Sequence, residues 1–409
     1  MRSSGRRLAI LLFGASLGAI GWGAVLPFLY ADIATARGMG ASVAAVTFSA
    51  FALGALLAAP IAGRLADLAR PVVVATAARL GMVLAIVALM YAGDAAAIWA
   101  AALAYGAALA VVQPSTSVMV LELTPTAKRR DAFAWQFIGQ NLGLAIGGLV
   151  GGYLVDLTSA TGSRPAYAFA ALCSIASAVL VGVVGRQAER EQVRVDSPVE
   201  NVGYRVVLRA PGVRWMLAVT VLLTLACYAQ FDSGLPAYAL SVLDVPATTL
   251  GTAVAVNAVL VAALTAPVVK ATRSVPPAVL LGVCATVWIG VWLVLAAPML
   301  HALPAPAFVI AGYALFSVGE TMLAPVLTPL AASLAPAGAT GRTLAAMSGG
   351  QTLATAVGPA LSGVVLALGL PGGFIAMQIA CCLLAVLGAR RLGRTLAAAP
   401  RRDELALVA

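Results

Sequence analysis

Two carboxylates stand inside long apolar stretches of the sequence. Glu320 lies in GYALFSVGETMLAP and Asp232 lies in YAQFDSGLPAY. An ionised side chain at the centre of a bilayer costs at least about 2–3 kcal/mol, so such a group normally faces a cavity or a partner. A carboxylate in a low-dielectric cavity also holds its proton more tightly, which makes proton exchange near neutral pH feasible. Both residues are candidate proton-coupling sites, and the alternative is a structural carboxylate bonded to a hydroxyl or to the backbone.

The other polar residues near apolar runs allow less specific interpretations. Arg79 lies two turns inside a run, and it either snorkels to the nearer surface or pairs with Glu122. Asp32 ends the first run and is interpreted as interfacial. His301 is the only histidine and falls between two runs, so no metal site and no histidine relay are expected. The five cysteines lack metal-ligand spacing and are interpreted as small packing residues.

The elements that carry these residues are apolar segments. Of 409 residues, 62% are hydrophobic and 10% are charged, a composition that excludes an ordinary soluble domain. About 20 apolar residues cross the hydrocarbon core of a bilayer as a helix. We predict twelve spans, numbered in chain order: 8–30, 42–63, 72–93, 96–121, 132–156, 165–185, 213–240, 247–269, 276–297, 305–333, 342–368 and 371–391.

The distribution of positive charge supports twelve spans. With the N-terminus inside, only Arg37 and Arg164 fall in outer segments, and Arg79 falls within span 3. The other 22 of the 25 Lys and Arg residues (25 less these three) are inside. This asymmetry follows the positive-inside rule, so both termini are predicted to be cytoplasmic. Because the basic residues are spread over separate segments, nucleic-acid binding is not expected.

The chain repeats one plan twice. At an offset of 211 residues, DAFAWQFIGQNLGLAIGGLVGG aligns without a gap with RTLAAMSGGQTLATAVGPALSG. We predict an N-terminal six-helix bundle at 1–185, a cytoplasmic linker at 186–212, a C-terminal six-helix bundle at 213–395 and a cytoplasmic tail at 396–409. Parallel repeats of this kind are a transporter device, with the substrate site between the halves near the bilayer midplane.

Twelve spans, the repeat and the central inside linker resemble the major facilitator superfamily over nearly the whole chain. The resemblance implies an all-α integral membrane protein of two pseudo-symmetric six-helix bundles. After span 2, GRLADLAR partly matches the superfamily pattern G-x-x-x-D-R-x-G-R-R at Gly63 and Asp67. It implies that Asp67 helps to close an inner gate by facing a helix N-terminus and pairing with Arg70 or Arg130. A solvated loop carboxylate is the alternative.

Span 5 contains small residues spaced for close helix packing. Its glycines are Gly143, Gly147, Gly148, Gly151 and Gly152. They resemble the superfamily pattern G-x-x-x-G-P-x-x-G-G, and the repeat copy in span 11, which offers a matching stripe, has Gly358, Pro359 and Gly363. In the family this pattern marks antiporters, including drug exporters, and lies where the halves meet. Generic small-residue packing is the alternative. Span 4 lacks the arginine that the family associates with proton coupling.

Polar and aromatic residues on the spans expected to face the substrate are candidates for a cavity wall. Amphipathic aromatic rings suit apolar or cationic ligands, and ordinary packing is the alternative for each. The candidates are Trp22, Tyr105, Gln113, Gln140, Asn141, Tyr228, Phe231, Asn257, Tyr313 and Phe316.

These features predict a secondary active transporter that exports lipophilic or cationic small molecules in exchange for protons by alternating access. The alternative within the same fold is a metabolite or sugar transporter, acting as a symporter or facilitator. An intramembrane enzyme is not expected, since H-E-x-x-H and a Walker loop are absent from the sequence and there is no second histidine to complete a site. A membrane sensor would show no substrate flux. We expect a monomer in the bacterial inner membrane that meets lipid, a small-molecule substrate and protons, and that needs no cofactor.

Overall fold

The computed structural model describes residues 2–68, 70–191, 202–300 and 303–398. Within these ranges the chain forms helices joined by short turns, and no strand occurs there. Twelve helical stretches in these ranges are long and apolar enough to cross a membrane, the seventh being Pro211–Tyr228, and this confirms the predicted number of spans. Parts of the predicted linker and tail, as well as His301, lie outside the described residues.

The long helices keep the order of the predicted spans. They are α1 (Arg2–Val25), α2 (Ala41–Leu68), α3 (Pro71–Tyr91), α4 (Ala95–Leu123), α5 (Arg129–Leu154), α6 (Arg164–Glu191), α7 (Pro211–Leu223), α8 (Ala247–Ala271), α9 (Pro277–Leu300), α10 (Ala305–Leu334), α11 (Thr340–Ala367) and α12 (Pro371–Ala398). The shorter helical segments are Leu29–Ala31, Asp32–Ala36, Thr126–Lys128, Tyr204–Arg209, Thr224–Tyr228, Gln230–Gly234 and Leu235–Ser241.

Prolines mark the start of four of these helices. Pro71, Pro211, Pro277 and Pro371 are each the first helical residue. The N–H groups of the first turn have no acceptor within the helix, so proline loses nothing there, and its fixed φ suits the helix. Sequence alone therefore locates these boundaries well.

Spans 1 and 7 are not the continuous helices that the sequence predicts. A π-helical segment follows α1 at Asp32–Ala36, and two follow α7 at Thr224–Tyr228 and Gln230–Gly234. Pro27 lies in the turn between α1 and Leu29–Ala31, and Pro236 lies at the start of Leu235–Ser241, directly after the second π-helical segment of span 7. Proline has no N–H to donate to the preceding turn, so the helix must break or widen near it.

The chain divides into two compact units. The N-terminal unit comprises Met1–Asn201 and Ala337–Leu353, and the C-terminal unit comprises Val202–Pro336 and Ala354–Ala409. The N-terminal unit thus contains α1 to α6 and the first half of α11. The C-terminal unit contains α7 to α10, the rest of α11, and α12. The six-plus-six division at the linker remains a prediction.

The glycine stripe of α5 packs against α1 inside the N-terminal unit. A Cβ atom at Gly143 would lie 2.8 Å from the carbonyl oxygen of Ser16. Cβ atoms at Gly147 and Gly151 would overlap the backbone of α1 as well. The sequence suggests α11 as the facing stripe, whereas the structure supplies the backbone of α1. Only glycine lets the two helices approach so closely.

The C-terminal unit repeats this contact with its own helices. Gly358 on α11 faces Ala229 and Gln230, which follow α7. The hydroxyl of Ser362 donates to the side-chain carbonyl of Gln230. The alignment of Gly147 with Gly358 therefore reflects an equivalent packing site in each unit, while Gly363 has no neighbour within 4 Å of an added Cβ.

Candidate functional site

A cavity of about 200 Å³ lies within the N-terminal unit, among α1, α3, α4, α5 and α6. Four of the predicted substrate-binding residues line it: Trp22, Tyr105, Gln113 and Gln140. Asn141 instead donates its side-chain amide to the carbonyl of Phe137, 3.0 Å away, one turn earlier in the same helix. The structure thus brings together polar and aromatic residues from helices that are far apart in sequence.

Aromatic rings form one wall of this cavity. The ring of Trp22 stacks on Tyr105 with a centroid distance of 4.2 Å, and Phe51 stacks on both rings. Tyr105 lies where α2 and α4 are in close contact, since a Cβ atom at the adjacent Gly106 would overlap the backbone at Phe51. Close helix contact therefore fixes the position of the aromatic wall.

Arg79 lines the same cavity, and neither predicted interpretation of this residue is correct. It is 4% exposed, so it does not snorkel to a surface. Its guanidinium donates to Ser177 Oγ at 3.1 Å, to Thr116 Oγ1 at 2.9 Å and to the carbonyl of Ala75 at 3.0 Å. Glu122 is not among these partners. The arginine is held by neutral groups on α3, α4 and α6.

The predicted substrate residues of the C-terminal unit form a packed aromatic cluster. Phe316 stacks on Trp288 at 5.1 Å between ring centroids, and Phe231 contacts both Phe316 and Tyr313. Tyr228 meets Trp288 and Phe316 edge-on. The Asn257 amide donates to the Tyr313 carbonyl at 3.4 Å, and the Tyr313 hydroxyl donates to the Phe231 carbonyl at 3.1 Å. Trp288, which the sequence analysis did not select, is central to the cluster.

Of the two predicted proton-coupling carboxylates, only the Glu320 side chain lies in the described part of the structure. It lies near the midpoint of α10 and is 9% exposed. Tyr228 and Cys284 lie within electrostatic range of its carboxylate. Asp232 lies in the π-helical segment Gln230–Gly234, and its side chain is outside the described part of the structure.

Two of the four residues predicted to form a gate, Gly63 and Asp67, lie at the start of α11. Both carboxylate oxygens of Asp67 accept backbone N–H groups, from Gly341 and from Arg342. The Asp67 carboxylate also forms an ion pair with the Arg342 guanidinium at 3.1 Å. Gly63 lies beside Gly341, where a Cβ atom would come within 2.9 Å of the Gly63 carbonyl oxygen.

Asp67 therefore faces a helix N-terminus, as the family resemblance implies, but its ionic partner is Arg342. The predicted pairing with Arg70 or Arg130 is wrong. Arg342 occupies the position in the second half that aligns with Asp131 in the first, so the repeat gives no hint of the pair.

A buried cluster at the end of span 1 was not anticipated. Asp32 is 1% exposed, pairs with Arg37 at 2.8 Å, and accepts the Tyr167 hydroxyl at 2.8 Å. Arg37 also donates to the carbonyls of Leu89 and Ala92. Asp32 begins the π-helical segment that follows span 1, and its carboxylate is buried within the unit. An acidic and a basic residue five positions apart were the only sequence signal.

The cysteines are free thiols, and four of the five are buried. Cys284 Sγ contacts the carbonyl of Gly319 at 3.2 Å. Among the described residues, no group of three or more His, Cys, Asp and Glu side chains is arranged to hold a metal ion.

Twelve apolar helices among the described residues define a polytopic membrane protein. The sequence profile described as Major Facilitator Superfamily matches residues 11–301. The chain belongs to this superfamily, and it is a membrane transporter rather than an enzyme. Comparison with curated proteins finds no match.

Solved structures of transporters share the fold. A bacterial homologue of the iron transporter ferroportin, in an outward-facing state, superimposes with a TM-score of 0.81 at 16% identity, over 95% of this chain and 99% of that chain. The human organic anion transporter MFSD10 (TETRAN) gives 0.72 at 16% identity over 95% and 99%. The superfamily transporter FucP gives 0.73 at 13% identity over 95% and 99%. At such identities the similarity establishes the fold.

Proposed function

We propose that this protein is a secondary active transporter that couples the movement of lipophilic small molecules to protons by alternating access. The observation that carries the proposal is the position of Glu320, a carboxylate buried near the midpoint of a membrane-spanning helix. Membership of the superfamily supports transport in general. Proton coupling is our inference from the residues.

The physical basis is the cost of charge in a low-dielectric environment. An ionised Glu320 is expensive to bury, and protonation removes this cost. A conformational change that alters the hydration of Glu320 therefore alters its affinity for a proton. By linkage, proton binding then biases the conformations in return. Asp232 is the second candidate for the same task.

The cavity in the N-terminal unit supports a lipophilic substrate. Trp22 and Tyr105 offer aromatic surface, and Gln113 and Gln140 offer groups for hydrogen bonds. A bare organic cation is disfavoured because Arg79 lies in the same wall. The outward direction of transport rests on the resemblance of the α5 glycines to the antiporter pattern alone.

A small-metabolite transporter is the second candidate, because the cavity is small. Its volume of about 200 Å³ is below the roughly 300–1,000 Å³ of sites for drug-sized ligands. In either case we propose a monomer in the bacterial cytoplasmic membrane. The charge asymmetry between loops supports a cytoplasmic position for both termini.

Transport in proteoliposomes tests the proposal. Vesicles with an imposed pH gradient are given radiolabelled benzenesulfonate or benzyltrimethylammonium, two aromatic probes of fixed and opposite charge. We expect protein-dependent flux of at least one probe to follow the gradient, and we expect Glu320→Gln to abolish the gradient dependence.

The matched control is Asp94→Asn. Asp94 is an exposed carboxylate that caps α4 by accepting the Ala97 N–H, and asparagine caps equally well. This variant should transport as the wild type does. Flux that ignores the gradient contradicts proton coupling, and unchanged pH dependence in Glu320→Gln contradicts the assignment to Glu320. No protein-dependent flux of either probe contradicts the proposed substrate type.

A further inference from the structure

The cavity of the N-terminal unit contains one charged side chain, that of Arg79, among the described residues that line it. No Asp or Glu is among these lining residues. Each hydrogen-bond partner of Arg79 is a hydroxyl or a backbone carbonyl. The guanidinium is therefore buried without a carboxylate to balance its charge, within the described part of the chain.

Burying a charged guanidinium without a counter-charge lowers the stability of the fold. A buried ion is normally paired, and inside a membrane protein it marks a substrate or ion pathway. The three hydrogen-bond partners of Arg79 are neutral, so these bonds alone do not require a positive charge at this position. The described residues that line the cavity supply no counter-charge, so the guanidinium is available to an anionic ligand.

The guanidinium also retains unused donors. It has five N–H bonds, of which the three hydrogen bonds use three. Among the described groups, one N–H has no partner on each of the two terminal nitrogens, Nη1 and Nη2. A carboxylate or sulfonate accepts two such N–H groups at once.

The two hydroxyls hold the guanidinium in place. Thr116 Oγ1 donates its own hydrogen to the carbonyl of Val112 at 2.7 Å, so only its lone pairs face Arg79. Ser177, which lies on α6, accepts the Nε–H of Arg79 at its Oγ. The side chain is thereby ordered before any ligand arrives, which reduces the entropy lost on binding.

The rest of the wall indicates the remainder of the ligand. The stacked rings of Trp22 and Tyr105 offer an apolar surface in the same cavity. Rings of this kind bind aromatic or aliphatic groups by contact area. The cavity thus presents a cationic group and an apolar surface to one small molecule.

We propose that this cavity binds a small organic anion, with a carboxylate or sulfonate group on Arg79 and an apolar body against Trp22 and Tyr105. The inference rests on the proposed transport function and names the substrate class of its cavity. The cationic substrates that the sequence suggests are excluded from this site by the charge of Arg79.

Three ligands that share one ring but differ in charge test the proposal. Benzenesulfonate, benzenesulfonamide and benzyltrimethylammonium are titrated into purified protein in a non-ionic detergent, with tryptophan fluorescence and thermal unfolding as readouts. We expect the sulfonate to bind about 10- to 100-fold more tightly than the sulfonamide, which is the range of a charge-assisted hydrogen-bonded pair.

Variants of Arg79 assign that preference to one residue. Arg79→Gln should bring the two affinities together while sulfonamide binding persists, which also shows that the variant is folded. Arg79→Lys should recover part of the preference, since it keeps the charge and loses the planar fork. Arg205→Gln, which removes an exposed arginine on the short helix Tyr204–Arg209, should bind as the wild type does.

Equal binding of all three ligands to the wild type would overturn the proposal, and so would the absence of any binding. An unchanged preference in Arg79→Gln would also overturn it. If Arg79→Gln does not fold, the ligand preferences of the wild type and of Arg79→Lys still decide between the outcomes.

Binding in detergent needs no gradient, so charge-selective binding without gradient-driven flux contradicts only the proposed function. Gradient-driven flux without charge preference contradicts only this inference.

Discussion

Asp67 and Arg342 form an ion pair of 3.1 Å although they are 275 positions apart in the chain. Both side chains are almost fully buried, with 4% and 1% of their surfaces exposed. The carboxylate also accepts the backbone N–H groups of Gly341 and Arg342, so it caps α11 as well as neutralising its arginine. This contact joins the end of α2 to the start of α11 inside the N-terminal unit.

We expect Asp67→Asn to lower the free energy of unfolding by about 3 kcal/mol, because the buried Arg342 loses its counter-charge. Unfolding in detergent micelles measures this effect. The double variant Asp67→Asn/Arg342→Gln should recover part of the loss, since the remaining charge is then gone as well. Asp94→Asn, at an exposed carboxylate, serves as the control, and a loss of the same size there would contradict the assignment.

Tyr167→Phe is expected to destabilise the buried cluster at the end of span 1. The Tyr167 hydroxyl donates to Asp32, whose other carboxylate oxygen has no partner among the described groups. Losing a buried bond to a charged acceptor costs about 1.5–3 kcal/mol. Thermal unfolding should therefore shift downward for Tyr167→Phe and stay unchanged for Tyr153→Phe, at a side chain that is 92% exposed. Equal shifts would count against the cluster.

The α1–α5 contact predicts opposite results for two adjacent glycines. Gly147→Ala places a methyl group into the backbone of α1, which should cost about 1–3 kcal/mol through overpacking. At Gly148 the nearest atom to an added Cβ is 3.8 Å away, so alanine fits and improves helix propensity. Unfolding of both variants in the same detergent is the measurement. A more harmful Gly148→Ala would show that the helix face has been misassigned.

The aromatic cluster of the C-terminal unit is expected to contribute to stability and not to ligand affinity at the Arg79 cavity. Phe316 is 2% exposed and packs on Trp288, so Phe316→Ala should lower stability by about 3–5 kcal/mol. Phe13→Ala, at a side chain that is 58% exposed, should have little effect on unfolding. Benzenesulfonate affinity is measured on both variants. A loss of affinity in Phe316→Ala at unchanged stability would contradict this division of roles.

The spans and their number were accessible from the sequence because hydropathy and length are local properties. A segment of about 20 apolar residues must cross the bilayer whatever its neighbours are. The family resemblance was accessible as well, since the repeat aligns without gaps across 131–152 and 342–363. Four of the candidate substrate residues, Trp22, Tyr105, Gln113 and Gln140, also proved to share one cavity.

The partners of the charged side chains could not be predicted from the sequence in this way. Arg342 for Asp67, Ser177 and Thr116 for Arg79, and Tyr167 for Asp32 all come from other helices. Spacing within one helix cannot report such contacts, because it says which face a residue occupies and not which helix lies opposite.

The sequence by itself thus determined that the chain is a twelve-span membrane protein with the repeat of a transporter superfamily. Only the tertiary structure decided which buried charges are neutralised and which are left facing a cavity. The reason is physical: the apolar solvent selects spanning helices one segment at a time, whereas the balance of a buried charge depends on groups that three or more helices bring together.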